Sequence, residues 1–469
     1  MKLYPENLTQ KIGFETVRQA ALSAARSQTG REKLQSLSPS TQINKVRIGL
    51  KQTGEMADLL QNEAAFPLYQ LHDLREHLKN AKAKGSMLAP DAFNEISNVL
   101  VTARRVKSYI NKRKKQFPEL KKVSTGLIPV RELEEKITAV VDEQGSIRDN
   151  ASSKLKQIRA RLNKKRGDLR KTINRVMKRA VKKDMASGEG PTLRGGRMVI
   201  PVQAEYKRKI KGFVHDVSSS GQTVYLEPVE ALEINNEIRQ LEGREKQEME
   251  RILRGLTDEV RGKRKTLQQN QRTLTAFDVI AAKAEVGIKL EGFIPVISED
   301  KRLFLNEARN PILGLKNLKL ASGKQETVVP LNLELDEKEA CLVITGPNAG
   351  GKSVAIKTVG LCVMMAQSGF AIPAKDSSEL PIYDKLFVDM GDEQSIENDL
   401  STFSSRLKWM KETQKRADEN SLVLIDEAAA GTDPEEGGAL FQSFIEMLIQ
   451  KEVKVLVTTH QGVLKIFAH

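Results

Sequence analysis

Gly346-Pro347-Asn348-Ala349-Gly350-Gly351-Lys352-Ser353 follows the apolar run Ala340-Cys341-Leu342-Val343-Ile344 and leads into Val354-Ala355-Ile356-Lys357. That order predicts a buried strand, a glycine loop and the first turn of a helix. Glycines let the backbone curl until successive N–H groups face phosphate oxygens. Lys352 adds a mobile positive charge, and the Ser353 hydroxyl is suited to hold a magnesium ion. Residues Gly346 through Val354 are therefore expected to cradle a nucleoside triphosphate with Mg2+.

Two further strands extend the pattern. Leu422-Val423-Leu424-Ile425-Asp426-Glu427 is an apolar run that ends in two acids about 75 residues beyond the loop. Asp426 is placed to order magnesium through water, and Glu427 to orient and polarise an attacking water. Val455-Leu456-Val457-Thr458-Thr459 is the next strand, and His460 at its end is expected to sense the terminal phosphate. Lys352, Glu427 and His460 form the candidate catalytic set, with Ser353 and Asp426 as the magnesium pair. Ser401-Thr402-Phe403-Ser404-Ser405, preceded by Gly391-Asp392-Glu393-Gln394-Ser395, puts hydroxyls at an expected helix start. Such a start suits an anion, and a capping role for Ser401 is compatible with that.

A chain of 469 residues suggests about three domains. Lysine and arginine outnumber aspartate and glutamate by 76 to 61, a net charge of +15 that favours a polyanionic partner, although a solvated basic surface has the same composition. Aromatic residues make up only 4% of the chain, so base stacking is not expected to be its main grip on nucleic acid. Cys341 and Cys362 lie in apolar surroundings and read as core packing, not disulfide or zinc chemistry. The N-terminus has no apolar signal region and no apolar run approaches the roughly 18 residues of a membrane span, so a cytoplasmic protein with no membrane partner is expected.

Upstream, residues 1–144 show helical spacing, with Leu50, Met56, Leu59 and Leu60 and later Ile96, Leu100 and Ile110 recurring every three or four positions. Phe93-Asn94-Glu95 and Phe117-Pro118-Glu119 carry the Phe-x-Glu spacing used elsewhere to wedge into mismatched DNA, but such tripeptides are common and neither lies in a β-rich module. Between Ser152 and Asp184, fourteen lysines and arginines accompany two aspartates, while Leu155, Ile158, Leu162, Leu169, Ile173, Val176 and Ala180 keep a narrow apolar stripe. A second stripe, Ile238, Leu241, Met249, Ile252, Leu256 and Leu267, can supply the antiparallel partner. An arm of some 40 residues per helix would reach roughly 60 Å.

Three short strand-like runs lie between the two helices, around Val199-Ile200-Pro201-Val202, Phe213-Val214-His215 and Thr223-Val224-Tyr225-Leu226. Arg194, Arg197, Lys207, Arg208, Lys209 and Lys211 crowd this tip and suit a clamp on phosphate backbone. His215, Asp216 and Ser218 are too close in sequence to be read as a nucleophilic triad, and turn or strand-edge hydrogen bonding is preferred.

Together the phosphate loop, Ser401-Thr402-Phe403, Asp426-Glu427 and Thr458-Thr459-His460 resemble the MutS family of ABC-type ATPases. Gly391 through Glu397, Ser404-Ser405, Gly431-Thr432-Asp433-Pro434, Gly212 through Asp216 and Ser220-Gly221-Gln222-Thr223 are similar to its bacterial MutS-two type, over essentially the whole chain. Ser401-Thr402-Phe403 stands where transporter ATPases have Ser-Gly-Gly.

The resemblance implies a homodimer in which Ser401 and Thr402 reach the terminal phosphate bound by the other protomer. It implies a multidomain fold: an all-α core (1–144), a long antiparallel coiled-coil lever (145–190 and 230–271), a small β-rich clamp tip (191–229), a core helix and connector (272–302), and an α/β P-loop ABC-type ATPase domain (303–469). Binding of branched or mismatched DNA to suppress recombination, and rRNA binding in the splitting of collided ribosomes, are the roles it brings. A non-catalytic nucleic-acid or ribosome-binding fragment that holds ATP without turnover is the alternative.

The chain departs from the family pattern at Ser353 for Thr, Asn310 for His, Ala428-Ala429 for Leu-Gly and Gln461 for Tyr. The family continues past the position of His469, so the ATPase domain is expected to be C-terminally incomplete, without the Smr nuclease-like domain.

Overall fold

The computed structural model describes residues 1–63, 65–187, 190–320, 326–336, 338–347, 351–390, 399–428 and 434–468, with the side chains of 399–403 and 434 outside that description. The chain is mixed α/β and divides into two compact units. One comprises 1–73, 102–128 and 269–469; the other comprises 74–101 and 129–268. In chain order the strands are β1 (Lys2–Tyr4), β2 (Thr192–Arg194), β3 (Arg197–Gln203), β4 (Gly212–Val217), β5 (Thr223–Pro228), β6 (Val296–Ile297), β7 (Leu303–Ala308), β8 (Leu331–Leu335), β9 (Cys341–Thr345), β10 (Glu379–Leu380), β11 (Lys385–Asp389), β12 (Ser421–Ala428) and β13 (Lys454–Thr459).

The first unit is built on a parallel sheet of order β1-β11-β12-β13-β9, beside a mixed sheet β6-β10-β7-β8. Successive side chains of a strand point to opposite faces, and the buried residues here obey that period. Leu386, Leu422, Leu424 and Leu456 join a core with the helix Lys352–Gln367 and with Leu8, Ile12, Phe14 and Val17 near the N-terminus. Val423, Ile425, Val455 and Val457 face Trp409, Met410, Phe441 and Phe444 from the helices Asp399–Arg416 and Pro434–Gln450. A parallel sheet covered on both faces has no solvent side, which is why its strands read as unbroken apolar runs. The helix Lys352–Gln367 is buried around most of its surface, between sheet and N-terminal helices. A Cβ at Gly360 would stand 2.2 Å from Ile12 Cδ1 and 2.8 Å from Leu424 Cδ1, so a larger residue there would force both side chains to shift within the core.

In the second unit the helices Ser153–Val181 and Val229–Gly262 pack together. Their polar pairs run in opposite senses along the chain: Ser152 with Glu248, Arg159 with Glu245 and Arg166 with Glu242, so the helices are antiparallel. An antiparallel sheet of order β2-β3-β5-β4 connects them. Ile200, Val202, Val224 and Leu226 of that sheet share a core with Leu169, Ile173, Val176 and Ile238 of the helices. Among the described residues, no helix is long and apolar enough to cross a membrane.

Candidate functional site

Strand β13 lies between β9 and β12, so the carboxyl ends of three parallel strands stand side by side. The crevice outside such ends is where α/β sheets bind ligands. The glycine loop leaves β9, Asp426 and Glu427 lie near the end of β12, and His460 follows β13. Lys352 is buried, and its Nζ donates to the carbonyls of Gly346 (2.7 Å) and Pro347 (2.9 Å) and lies 3.1 Å from His460 Nε2. An ammonium only donates, so in this contact Nε2 of His460 stands as the acceptor. Gly346 and Gly351 have φ of +146° and +80°, backbone that side chains rarely adopt. Ser353 is half-buried and Val354 exposed at the helix start; Asn348, Ala349 and Gly350 lie outside the described residues.

The two acids sit in a β-bulge. Ile425 pairs with Val457 and Ala428 with Thr459, leaving two residues of β12 opposite one of β13. Glu427 has φ +53°, a conformation that costs a non-glycine residue on the order of 1 kcal/mol and persists only where neighbours enforce it. Thr458 is one such neighbour. Its Oγ1 accepts from the Glu427 N–H (2.8 Å) and donates to Asp426 Oδ1 (2.5 Å). Arg406 is another, donating from Nη2 to the Asp426 carbonyl (2.8 Å) and from Nε to Asp389 Oδ2 (2.5 Å). Burial pushes the Asp389 carboxyl above its ordinary range, against the opposing pull of Arg406.

Sequence reasoning named neither Thr458 nor Arg406 as functional. The pair Thr458-Thr459 closing the apolar run Val455-Leu456-Val457 was the available signal for the first; for the second there was none, because Arg406 lies among charged helix positions.

Beside the start of the helix Lys352–Gln367 a cavity of about 630 Å³ is lined by Asn310, Leu313, Val329, Pro330, Gly351 and Val354, among others. Asn310 shapes its wall: Oδ1 accepts from the N–H groups of Ile312 and Leu313, and Nδ2 donates to Thr358 Oγ1 at 3.0 Å. Among the described residues, no three His, Cys, Asp or Glu side chains converge on a metal position. Magnesium is ordinarily bound by one or two protein oxygens plus substrate phosphates and water, so a Ser353 hydroxyl and an Asp426 carboxylate fit it. The adjoining cavity, the Lys352 ammonium and the helix N-terminus fit the rest of ATP.

At the tip, Lys207, Arg208, Lys209 and Lys211 are exposed in the turn before β4. Arg194 and Arg197 are engaged internally. Arg194 pairs with Asp216 and lies over the Tyr225 ring, while Arg197 donates to both oxygens of the buried Glu227 carboxylate. His215 contacts that same carboxylate at 2.5 Å, and Ser218 Oγ accepts from the Thr223 N–H, which is turn chemistry.

Phe93 and Phe117 are buried in helical packing and present no wedge. Cys341 and Cys362 are free thiols, each pushed up to about 12 by burial, which fits packing and not reactivity. The backbone of Ser401 and Thr402 lies in the first turn of the helix Asp399–Arg416, with their side chains outside the description, as are Gly391 through Glu397 and Gly431-Thr432-Asp433.

Residues 342–468 match MutS domain V. Over 467 residues, 99% of its length, the chain is 36% identical to the endonuclease MutS2 of Bacillus cereus strain Q1. Proteins of the same name from Bacillus anthracis and from Bacillus thuringiensis strain Al Hakam match with the same identity and coverage. The chain spans 58% of the length of these relatives.

Proposed function

We propose, from the premise that this chain belongs to the MutS2 branch of the MutS family, that it binds and hydrolyses ATP between two copies of itself and couples that cycle to a grip on nucleic acid. The observation that carries the reading is the convergence of Lys352, His460 and the Asp426-Glu427 pair at three adjacent strand ends. Lys352 and the main-chain N–H groups at the helix start bind and orient the phosphates. Magnesium, held by Ser353 and Asp426, would neutralise charge on the phosphate oxygens. Glu427 orients the attacking water and accepts its proton, and His460 contacts the terminal phosphate. Ser401 and Thr402 complete the site of the other protomer.

The paired helices of the second unit act as a coiled-coil lever, and the exposed cations at 207–211 meet phosphate backbone. Branched DNA and ribosomal RNA both present that backbone, and a salt-dependent grip on either follows from counterion release.

Replacing Glu427 with Gln should leave ATP binding within a few-fold of the parent while turnover falls at least a hundredfold, the scale of lost general-base catalysis. Lys352→Ala should instead lose affinity for ATP. Turnover per chain should rise with protein concentration as composite sites form. A Glu427→Gln protein that hydrolyses ATP at the parental rate would remove Glu427 from this role. A parent that holds ATP at every concentration without turnover would make the chain a nucleotide-gated binder.

A further inference from the structure

The peptide group joining Asp426 to Glu427 is held at both ends by side chains. Its oxygen accepts from Arg406 Nη2 at 2.8 Å, and its N–H donates to Thr458 Oγ1 at 2.8 Å. The bulge takes this peptide out of the regular register between β12 and β13. The tilt of that peptide plane sets where the two carboxylates point.

Thr458 belongs to the sheet, but Arg406 does not. It rides on the helix Asp399–Arg416, and its guanidinium is buried against Asp389 at the end of β11, with its carbon 5.5 Å from the Phe441 ring centre. A buried ion pair is a poor way to gain stability, because desolvation offsets most of the attraction and an apolar pair packs as well or better. What a rigid fork of donors gains here is direction: Nε addresses Asp389 and Nη2 the Asp426 carbonyl at once.

We infer that Arg406 is a positioning residue which transmits the placement of the helix Asp399–Arg416 to the peptide between the two acids, so that hydrolysis at one site depends on where this helix stands. The inference rests on the ATPase reading, in which the first turn of the same helix serves the other protomer's nucleotide. Hydrolysis in the two composite sites is thereby linked through one side chain.

Trp409, the chain's single tryptophan, lies three residues further along the helix and packs edge-on against Phe444 at 5.9 Å, which makes it a native reporter. Arg406→Ala should bind ATP within about threefold of the parent while kcat falls at least tenfold and the ATP-dependent change in Trp409 fluorescence shrinks. Guanidinium ion at millimolar concentration should restore part of kcat, which a general loosening of packing would not allow. Asp389→Asn, which keeps the carbonyl contact and removes the charge partner, should fall between the two and serves if Arg406→Ala does not fold. Parental kcat in both variants, or equal losses of ATP affinity and kcat with no response to guanidinium, would overturn the inference. A parent without turnover would overturn the ATPase reading and this inference with it.

Discussion

Thr458 shows how little material fixes the acid pair. One hydroxyl, fully buried, accepts from the Glu427 N–H and donates to Asp426, and it holds Glu427 at a positive φ that the residue would otherwise avoid. Thr458→Val keeps the shape and deletes the hydroxyl, leaving a part-buried N–H unpaired at a cost of about 1 kcal/mol. Denaturant unfolding should register that loss, turnover should fall about tenfold or more, and Thr458→Ser should recover most of both. A Thr458→Val protein with parental stability would mean that the bulge is held by other contacts. The acids themselves were legible as the end of an apolar run. The bulge was not, because it arises from the count of residues between two paired positions on each of two strands, and neither strand alone carries that count.

At the scale of elements, the apolar stripe from Leu155 to Ala180 was legible from spacing alone, and its members are buried in the structure. The returning helix was harder to read: it ends at Gly262, and a second helix starts at Arg264. It also buries a carboxylate. Glu248 is nearly inaccessible and accepts from Arg251 (2.8 Å), from Ser152 (2.9 Å) and, across the helix pair, from Lys154 (3.3 Å). No pattern in a charged helix marks which glutamate will be enclosed, since two of its three donors, Ser152 and Lys154, come from the start of the other helix. Hydrogen bonding from Arg251, helped by Ser152 and Lys154, lowers the Glu248 carboxyl from 4.5 to about 2. A depressed carboxylate stabilises the fold fully above its unfolded value and loses that contribution as pH falls toward the folded one. Helix pairing, followed by circular dichroism on heating, should therefore weaken between about pH 5 and pH 2. Glu248→Gln should lower the midpoint at neutral pH by a few degrees and remove this part of the acid response. An unchanged acid profile in that variant would assign the response to other carboxylates.

Over the whole molecule, the division into units follows contacts that composition does not announce. Residues 102–128 belong with the unit that carries the parallel sheet. Within it, Arg113 pairs with Glu63 and the Thr102 hydroxyl donates to the Tyr69 carbonyl. A net charge of +15 was legible, but not how the cations divide between structure and surface. At the tip the division is explicit. Arg197 serves the buried Glu227, so Arg197→Ala should take the guanidinium from a carboxylate left with only His215 and Asn235 and destabilise the sheet, whereas the exposed Lys207, Arg208, Lys209 and Lys211 have the solvent access a phosphate contact needs. Neutralising those four together should weaken binding to four-way-junction DNA and to structured RNA. The slope of log affinity against log salt should flatten by about 0.9 for each duplex phosphate that is no longer neutralised. Comparing the two ligands decides the target: equal flattening fits a shared backbone grip, and flattening for one alone identifies the polyanion that the tip meets. If neither slope changes, the charge at 207–211 is solvated surface, and the grip lies elsewhere on the chain.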